Sequence, residues 1–194
     1  MSGEVRVVPV TDAPWDAVRT VFGTRGDPAG CWCQYFKVTS AQWNAGDRHT
    51  FEQALCDQTR AGGAGPGLIA YLDDEPVGWV AVEPRTSYPR LLGGTVARAS
   101  TEAPDAADVW AVTCFVVRVG FRRRGVSGAL LRAAVDHARA HGARVIEGYP
   151  VDTAGRKVSS ADLYHGPLSA FEAAGFTVSA RPAPGRAVVR SESP

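Results

Sequence analysis

A short run of arginines and glycines, Arg122 to Gly128, has the composition of an anion-binding loop. It follows a β-branched and aromatic run from Val109 to Val117 and precedes an apolar pattern of helical spacing that ends before Gly142. A strand that turns through glycine into a helix presents unpaired backbone N–H groups at the positive end of the helix dipole. Phosphate is the usual anion at such a turn, and arginines add charge and forked donors. These residues therefore predict a phosphate-binding turn between a buried strand and a helix.

The order of these residues resembles a known family. The run Arg122-x-x-Gly125-x-Ser127 is similar to the R/Q-x-x-G-x-G/A signature of the GNAT family of N-acetyltransferases, whose loop holds the pyrophosphate of acetyl-CoA. The apolar stretch from Leu68 to Glu83 resembles the central hairpin of that family, and Phe171 to Phe176 resembles its closing helix and Gly-Phe. Ser127 departs from the signature, but it is small and Gly128 follows it. The resemblance implies one α/β (α+β) domain over residues 1–194, with a central mixed β-sheet flanked by helices.

The resemblance also implies where acetyl-CoA binds as co-substrate. In the family, the pantetheine amides pair with the edge of the central strand much as another strand would. The corresponding positions are Phe115, Val116 and Val117, followed in the loop by Arg122, Arg123, Arg124, Gly125, Val126, Ser127 and Gly128. Backbone groups are expected to make most of these contacts, and no metal is expected in the reaction.

The general base is less well specified. The glutamate of the histone-modifying branch of the family falls on Trp110, which cannot take a proton. Asp108 lies two residues earlier, and strict alternation places it on the same strand face as Trp110 and Cys114. It could act directly or through a water, and Glu83 at the end of the hairpin is a second candidate. Either could equally be a structural carboxylate, and Glu147 is a third candidate that better suits a structural role.

The general acid departs from the family pattern as well. The usual tyrosine position is occupied by Phe171, which has no proton to donate. Tyr164 is the substitute we expect, although it could be a packed tyrosine with a hydrogen-bonded hydroxyl. His165 is a further acid–base alternative. Cys114 could in principle form an acyl-enzyme, but a cysteine on a core strand is usually inert.

An aromatic segment, Cys31-Trp32-Cys33-Gln34-Tyr35-Phe36, lies between two loop signals. Its rings either fill the core or form a wall of the acceptor pocket, and on the second interpretation Trp32 and Tyr35, together with Trp110, contact the acceptor. We expect a small-molecule primary amine, such as a metabolite or an antibiotic. A protein or peptide N-acetyltransferase and a non-catalytic acyl-CoA sensor are the alternatives.

Composition limits the function classes. The chain has 194 residues, 45% hydrophobic, and a formal net charge of +1, so no strong field indicates nucleic acid or an acidic membrane surface. No apolar run approaches the roughly 20 residues of a membrane span, and the amino terminus lacks an apolar signal core. A cytoplasmic protein is therefore expected, with reduced cysteines and the possibility of a homodimer. Cys31 and Cys33 have no second pair, so a structural zinc site is not expected.

The remaining patterns predict the other elements. Strands are expected at 5–9, 68–72, 77–83, 144–149, 176–180 and 187–190, and helices at about 12–22, 47–60 and 166–175. Residues 26–30 are expected to form a loop, and the proline-rich residues 84–107 a long loop that serves as a lid or mobile segment. Residues 191–194 are expected to be a disordered tail.

Overall fold

Seven strands form one mixed sheet. The computed structural model describes residues 3–154, 158 and 162–192. The strands are β1 (Val5–Pro9), β2 (Gly67–Leu72), β3 (Glu75–Pro84), β4 (Val109–Val117), β5 (Val145–Gly148), β6 (Thr177–Ala183) and β7 (Arg186–Glu192). Their order is β1-β2-β3-β4-β5-β7-β6, and neighbours are antiparallel except β4 and β5, which are parallel. This sheet confirms the predicted fold class.

Seven α-helices accompany the sheet in the described residues. They are α1 (Trp15–Phe22), α2 (Gly26–Cys31), α3 (Ser40–Ala45), α4 (Arg48–Arg60), α5 (Pro89–Gly93), α6 (Val126–Ala140) and α7 (Leu168–Ala173). Asp47 caps α4 by accepting a hydrogen bond from the Thr50 N–H at 2.8 Å, as its position predicts. Thr39 and Gln42 form a capping box at the start of α3. Short 3₁₀ turns occupy Val10–Asp12, Arg85–Ser87, Ala97–Ala99 and Asp162–His165.

Each face of the sheet carries its own apolar core. The first face, covered by α6 and α7, buries Val80, Val112, Leu130 and Phe171. The opposite face packs Trp79, Ala81 and Val116 against residues of α1 and α4. Helix α6 follows a 3.6-residue apolar period, so it lies flat on the sheet and its amino terminus is fixed beside β3 and β4.

A bulge in β4 changes which face its side chains occupy. Ala81 pairs with Cys114 while the next residue of β3, Val82, pairs with Val112, so Thr113 is the extra residue. Before the bulge, Trp110 belongs to the core beneath α6; after it, Cys114 packs into the opposite core. The predicted alternation that placed Trp110 and Cys114 on one face is therefore wrong, because the bulge reverses the phase of the strand.

Residues 84–107 are not a structureless loop. They contain two 3₁₀ turns and α5. A buried ion pair anchors them, since Arg85 Nη1 lies 2.8 Å from Glu147 Oε2 on β5 and both side chains are almost fully buried. Ser100 and Tyr149 also donate hydrogen bonds to the Glu147 carboxylate. This segment is held to the sheet, and Glu147 has the structural role that its position suggested.

Two further expectations are corrected. Residues 26–30 form α2 rather than a loop, because Asp27 and Pro28 suit a first helical turn. Ser191 and Glu192 continue β7 and pair with Ile146 and Val145, so they are not a disordered tail; residues 193–194 lie outside the described residues. No helix in the described part of the chain is long and apolar enough to cross a membrane.

Candidate active site

The arginine–glycine run forms a cradle at the amino terminus of α6. Gly125 adopts a left-handed conformation, φ 78°, and the helix begins at the next residue. The first backbone hydrogen bond of α6 at this turn runs from the Ala129 N–H to the Gly125 carbonyl oxygen, at 3.0 Å. The N–H groups of the preceding helical residues therefore point toward the cavity as candidate donors. The cavity has a volume of about 180 Å³ and is lined by Val117, Phe121, Arg122, Arg123, Gly125, Val126, Ser127 and Gly128.

Two glycines fix the position of this cradle. A Cβ on Gly78 of β3 would lie 2.8 Å from Val126 Cγ1 and 3.0 Å from Leu130 Cδ1, so glycine lets the first turns of α6 approach the sheet. Gly125 supplies a positive φ that other residues adopt only with strain. Arg122, Arg123 and Arg124 are exposed around the turn, which gives the cradle a positive field.

The edge of β4 leads directly into the cradle. Its pairing with β5 ends at Val112 and Gly148, while β4 continues to Val117. Beyond Val112, β4 therefore has no paired strand on its β5 side among the described residues, which leaves a gap bordered by the backbone of Phe115, Val116 and Val117. Val117 also lines the cavity, so the predicted strand positions and the predicted loop form one continuous surface.

His165 marks the inner end of this gap. Its Nδ1 lies 2.8 Å from the carbonyl oxygen of Thr113, the bulge residue, and only 3% of its surface is exposed. A carbonyl accepts only, so Nδ1 carries the proton. Burial lowers the pKa of His165 to about 3, and the nearby charge of Arg186 adds to the effect. The ring is thus neutral, with its lone pair on Nε2.

Aromatic rings surround the bulge. The Tyr164 ring lies 4.2 Å from His165, and Phe36 lies 5.4 Å from His165 and 5.1 Å from Tyr35, between centroids. Tyr35 and Tyr164 are each 39% exposed. Burial raises the pKa of Tyr164, and Arg186 and Cys114 are close enough to influence it. The structure therefore brings the predicted residues Tyr35 and Tyr164 to the same region, near Cys114.

Glu83 lies on the same sheet face as Cys114, at the end of β3. It forms an ion pair with Lys37, and its side chain is 15% exposed. Lys37 also donates a 2.7 Å hydrogen bond to Gln58 Oε1, and Gln58 is bound in turn to Gln34. Tyr88 is buried beside this pair, and its pKa is raised by burial and by the negative charge of Glu83. Lys37 and Tyr88 were not found by sequence reasoning, because only the packing of distant segments joins them to Glu83.

Asp108 is not brought to this region. It precedes the first residue of β4, and a strand rise of about 3.3 Å per residue puts it roughly 20 Å from Cys114. Its carboxylate accepts a 2.8 Å hydrogen bond from Arg144 Nε, which lowers the pKa of Asp108. Its contacts are those of a structural ion pair at the far end of the strand.

The two tryptophans that were expected to contact the acceptor are core residues. Trp32 is 1% exposed and stacks on Phe22 at 4.8 Å between centroids. Trp110 is 4% exposed and packs against His137 beneath the carboxyl end of α6. Since neither presents surface to a ligand, only Tyr35 of the three remains in position to contact an acceptor.

The four cysteines are free thiols, of which Cys33 and Cys56 are buried and Cys31 and Cys114 are partly buried. Burial raises the pKa of Cys31 to about 11, and the pKa of Cys33 is also raised, first by its hydrogen bond with Cys114 and then by burial. Both therefore stay protonated at neutral pH and are poor nucleophiles. Within residues 3–154, 158 and 162–192, no group of three or more His, Cys, Asp and Glu side chains is arranged to hold a metal ion.

Comparison with solved structures shows the same fold. A GCN5-related N-acetyltransferase from Kribbella flavida aligns with a TM-score of 0.54 at 20% identity, covering 97% of this chain and 98% of that one. YncA from Salmonella typhimurium, solved with its cofactor acetyl-CoA, gives 0.54 at 12% identity over 99% and 94%. PaiA N-acetyltransferase from Thermoplasma acidophilum, in complex with coenzyme A, gives 0.51 at 12% identity over all of both chains.

Sequence comparison identifies the family. No curated protein sequence gives a significant match. The profile described as "Acetyltransferase (GNAT) family" matches residues 32–158, which is more than half of the chain and includes β4, the arginine–glycine turn and α6. The chain therefore belongs to the GNAT family of acetyltransferases.

Proposed function

We propose that this protein transfers the acetyl group of acetyl-CoA directly to a primary amine of a small molecule. The observation that carries the proposal is the continuous surface formed by the β4 edge, the Gly125 turn and the amino terminus of α6. The pyrophosphate would bind the N–H groups of Val126, Ser127 and Gly128 beside the three arginines. The pantetheine would lie along Phe115 to Val117, which brings the thioester to the bulge at Thr113 and Cys114.

Glu83 is the carboxylate best placed to act as general base. It lies on the same face as Cys114, is partly accessible, and forms an ion pair with Lys37. In the proposed step, Glu83 takes a proton from the ammonium form of the acceptor, directly or through a water. The amine nitrogen then attacks the thioester carbonyl carbon, the carbon–sulfur bond breaks, and the nitrogen of the new amide loses its remaining extra proton to water.

Tyr164 is the proposed general acid. Because burial raises its pKa, the hydroxyl keeps its proton at neutral pH and can give it to the departing thiolate. A thiolate is a tolerable leaving group, since free thiols have a pKa of about 8.5. The contribution of Tyr164 is therefore expected to be smaller than that of Glu83.

An acceptor screen tests this function. Purified protein and acetyl-CoA are incubated with panels of small primary amines and of peptides, and released CoA thiol and acetylated product are measured. We expect release that depends on a small amine. Peptide-only turnover would identify the peptide alternative, and tight acetyl-CoA binding without release from any acceptor would identify a sensor.

Substitution of Glu83 tests the base. Glu83→Gln is expected to lower kcat by about 10² to 10⁴ and to leave acetyl-CoA affinity unchanged. Glu52→Gln is the matched control, because Glu52 is 16% exposed and ion-paired with Arg19 away from the site. If Glu83→Gln kept the parent kcat, Glu83 would not be the base.

A further inference from the structure

Arg186 lies beside the chain segment that follows β5. It opens β7 and forms an isolated antiparallel bridge with Val151, just beyond the end of β5. Its Nη2 donates a 3.2 Å hydrogen bond to the Tyr149 carbonyl. The guanidinium is thus held on the β5 side of the gap, whereas the bulge residue Thr113 lies on the β4 side.

The charge of Arg186 is not neutralised by the described side chains. No Asp or Glu among them lies within ion-pair distance of it, and its buried Nε has no hydrogen-bond partner there. Two other arginines on or beside the sheet differ in this respect, because Arg85 pairs with Glu147 and Arg190 pairs with Glu102. The positive charge of Arg186 is therefore uncompensated among the described side chains, and an anionic ligand that accepted from its Nη groups would be bound favourably.

Arg186 is also close to the reacting centre. Its charge influences both His165, which is bonded to Thr113, and Tyr164, whose pKa is influenced by Cys114 as well. Tyr164 is therefore within electrostatic reach of both the Arg186 guanidinium and Cys114, beside which the thioester is expected. The exposed rings of Tyr164 and Tyr35, joined through Phe36, supply an apolar surface beside it.

We propose that the acceptor is an amine that also carries a carboxylate and an apolar side group, which is the chemistry of a free apolar amino acid. Arg186 binds the carboxylate through a charge-assisted hydrogen bond. The apolar side group packs against Tyr35 and Phe36, and the amine faces the thioester near Cys114. This inference rests on the proposed acetyltransferase function and names its substrate class.

The test compares three acceptors that differ only in the carboxyl group: phenylalanine, phenylalaninamide and phenethylamine. With saturating acetyl-CoA, we expect kcat/KM of the parent to be at least about tenfold higher for phenylalanine than for phenylalaninamide. A factor of this size corresponds to the contribution of one charge-assisted hydrogen bond. In Arg186→Met this ratio is expected to fall toward one. Arg186→Lys is expected to restore it only in part, because lysine lacks the planar fork.

Arg181→Met is the matched control, since Arg181 is an exposed arginine of β6 that pairs with Asp152. It is expected to keep the parent ratio. A parent ratio of one or less would overturn the inference, and so would an equal loss of kcat/KM for acid and amide in Arg186→Met. Preference for succinyl-CoA over acetyl-CoA that disappears in Arg186→Met would also overturn it, because Arg186 would then bind the acyl carboxylate.

A binding measurement separates this inference from the proposed function. Calorimetry measures the affinities of N-acetylphenylalanine and of its amide for the protein saturated with CoA. Tighter binding of the acid to the parent, lost in Arg186→Met, supports the inference even if turnover is slow. Equal affinities for the acid and the amide, or no binding of either, would overturn the inference. Failure of the protein to bind CoA itself would contradict the proposed function.

Discussion

His165 links the packing of the site to its pH dependence. The residue is buried at the β4 bulge, with one hydrogen bond to Thr113 and the positive charge of Arg186 nearby. Both burial and that charge oppose protonation of the ring. The folded protein therefore binds a proton at His165 far less readily than the unfolded chain, and acid should favour unfolding.

The first prediction concerns stability against pH. The pKa of His165 is about 3 in the folded protein and ordinarily about 6.5, so its contribution is present above 6.5 and is lost as pH falls. Between pH 6.5 and 5, the free energy of unfolding should fall by about 2 kcal/mol from this group. Urea unfolding at several pH values across this range measures how the free energy of unfolding changes with pH.

His165→Asn provides the comparison, because an asparagine amide can still donate to the Thr113 carbonyl without titrating. Its free energy of unfolding should depend less on pH over the same range. His137 also has a lowered pKa but is present in both proteins, so its contribution cancels. The same slope in parent and variant would show that His165 does not supply the dependence.

At the scale of elements, the contact between β3 and α6 sets the geometry of the cradle. Gly78 allows Val126 and Leu130 to lie directly on β3, and Val126 is the first residue of α6. Any shift at this contact would move the N–H groups that the phosphate is proposed to bind.

The second prediction follows from this contact. Gly78→Ala places a methyl group 2.8 Å from Val126 Cγ1, so the variant should lose about 1–3 kcal/mol of unfolding free energy and bind acetyl-CoA more weakly. Removing the opposing methyl groups in Gly78→Ala/Val126→Ala should recover part of the stability lost by overpacking. Urea unfolding and calorimetry measure the two effects.

Gly93→Ala, in helix α5, controls for the addition of a methyl group at a glycine, since a Cβ there meets nothing within 4 Å. It is expected to be neutral or slightly stabilising. If Gly78→Ala were equally harmless, or if the effects of Gly78→Ala and Val126→Ala simply added, the close packing of α6 on β3 would not be limiting.

At the scale of the whole molecule, local sequence patterns predicted the strand–turn–helix unit and the hairpin. The β-branched run of β4, the glycine at position 125 and the apolar period of α6 are each contained in a short window, so they can be read from the sequence. The composition of that unit also predicted a phosphate-binding turn, and its resemblance to the GNAT signature implied acetyl-CoA as the ligand proposed to bind there.

The catalytic region could not be predicted in the same way. One bulge residue, Thr113, reverses the faces of β4, and no local pattern marks it. Asp108 and Glu83 are both carboxylates near strand ends, and only the sheet register and the partners Arg144 and Lys37 distinguish them. Trp32 and Tyr35 lie in one aromatic run, yet their burial differs because α2 ends at Cys31 and the left-handed conformations of Trp32 and Cys33 redirect the chain before Tyr35.

The measurement that tests the central claim most directly is a calorimetric titration of acetyl-CoA into the parent and into Gly128→Glu. Gly128 lies in the first turn of α6 without a positive φ, and a Cβ there would meet only Arg132 Nη1 at 3.5 Å. The glutamate can therefore fold in place, where it fills the cradle and repels phosphate. Gly93→Glu controls for the added charge on an exposed helical glycine.

We expect the parent and Gly93→Glu to bind acetyl-CoA with a Kd of about 1 μM, near −8 kcal/mol, and Gly128→Glu to bind at least about a hundredfold more weakly. Circular dichroism and thermal unfolding establish that all three proteins are folded. Equal affinity of Gly128→Glu and the parent, or no binding by the parent at all, would contradict the assignment of this turn as the acetyl-CoA site.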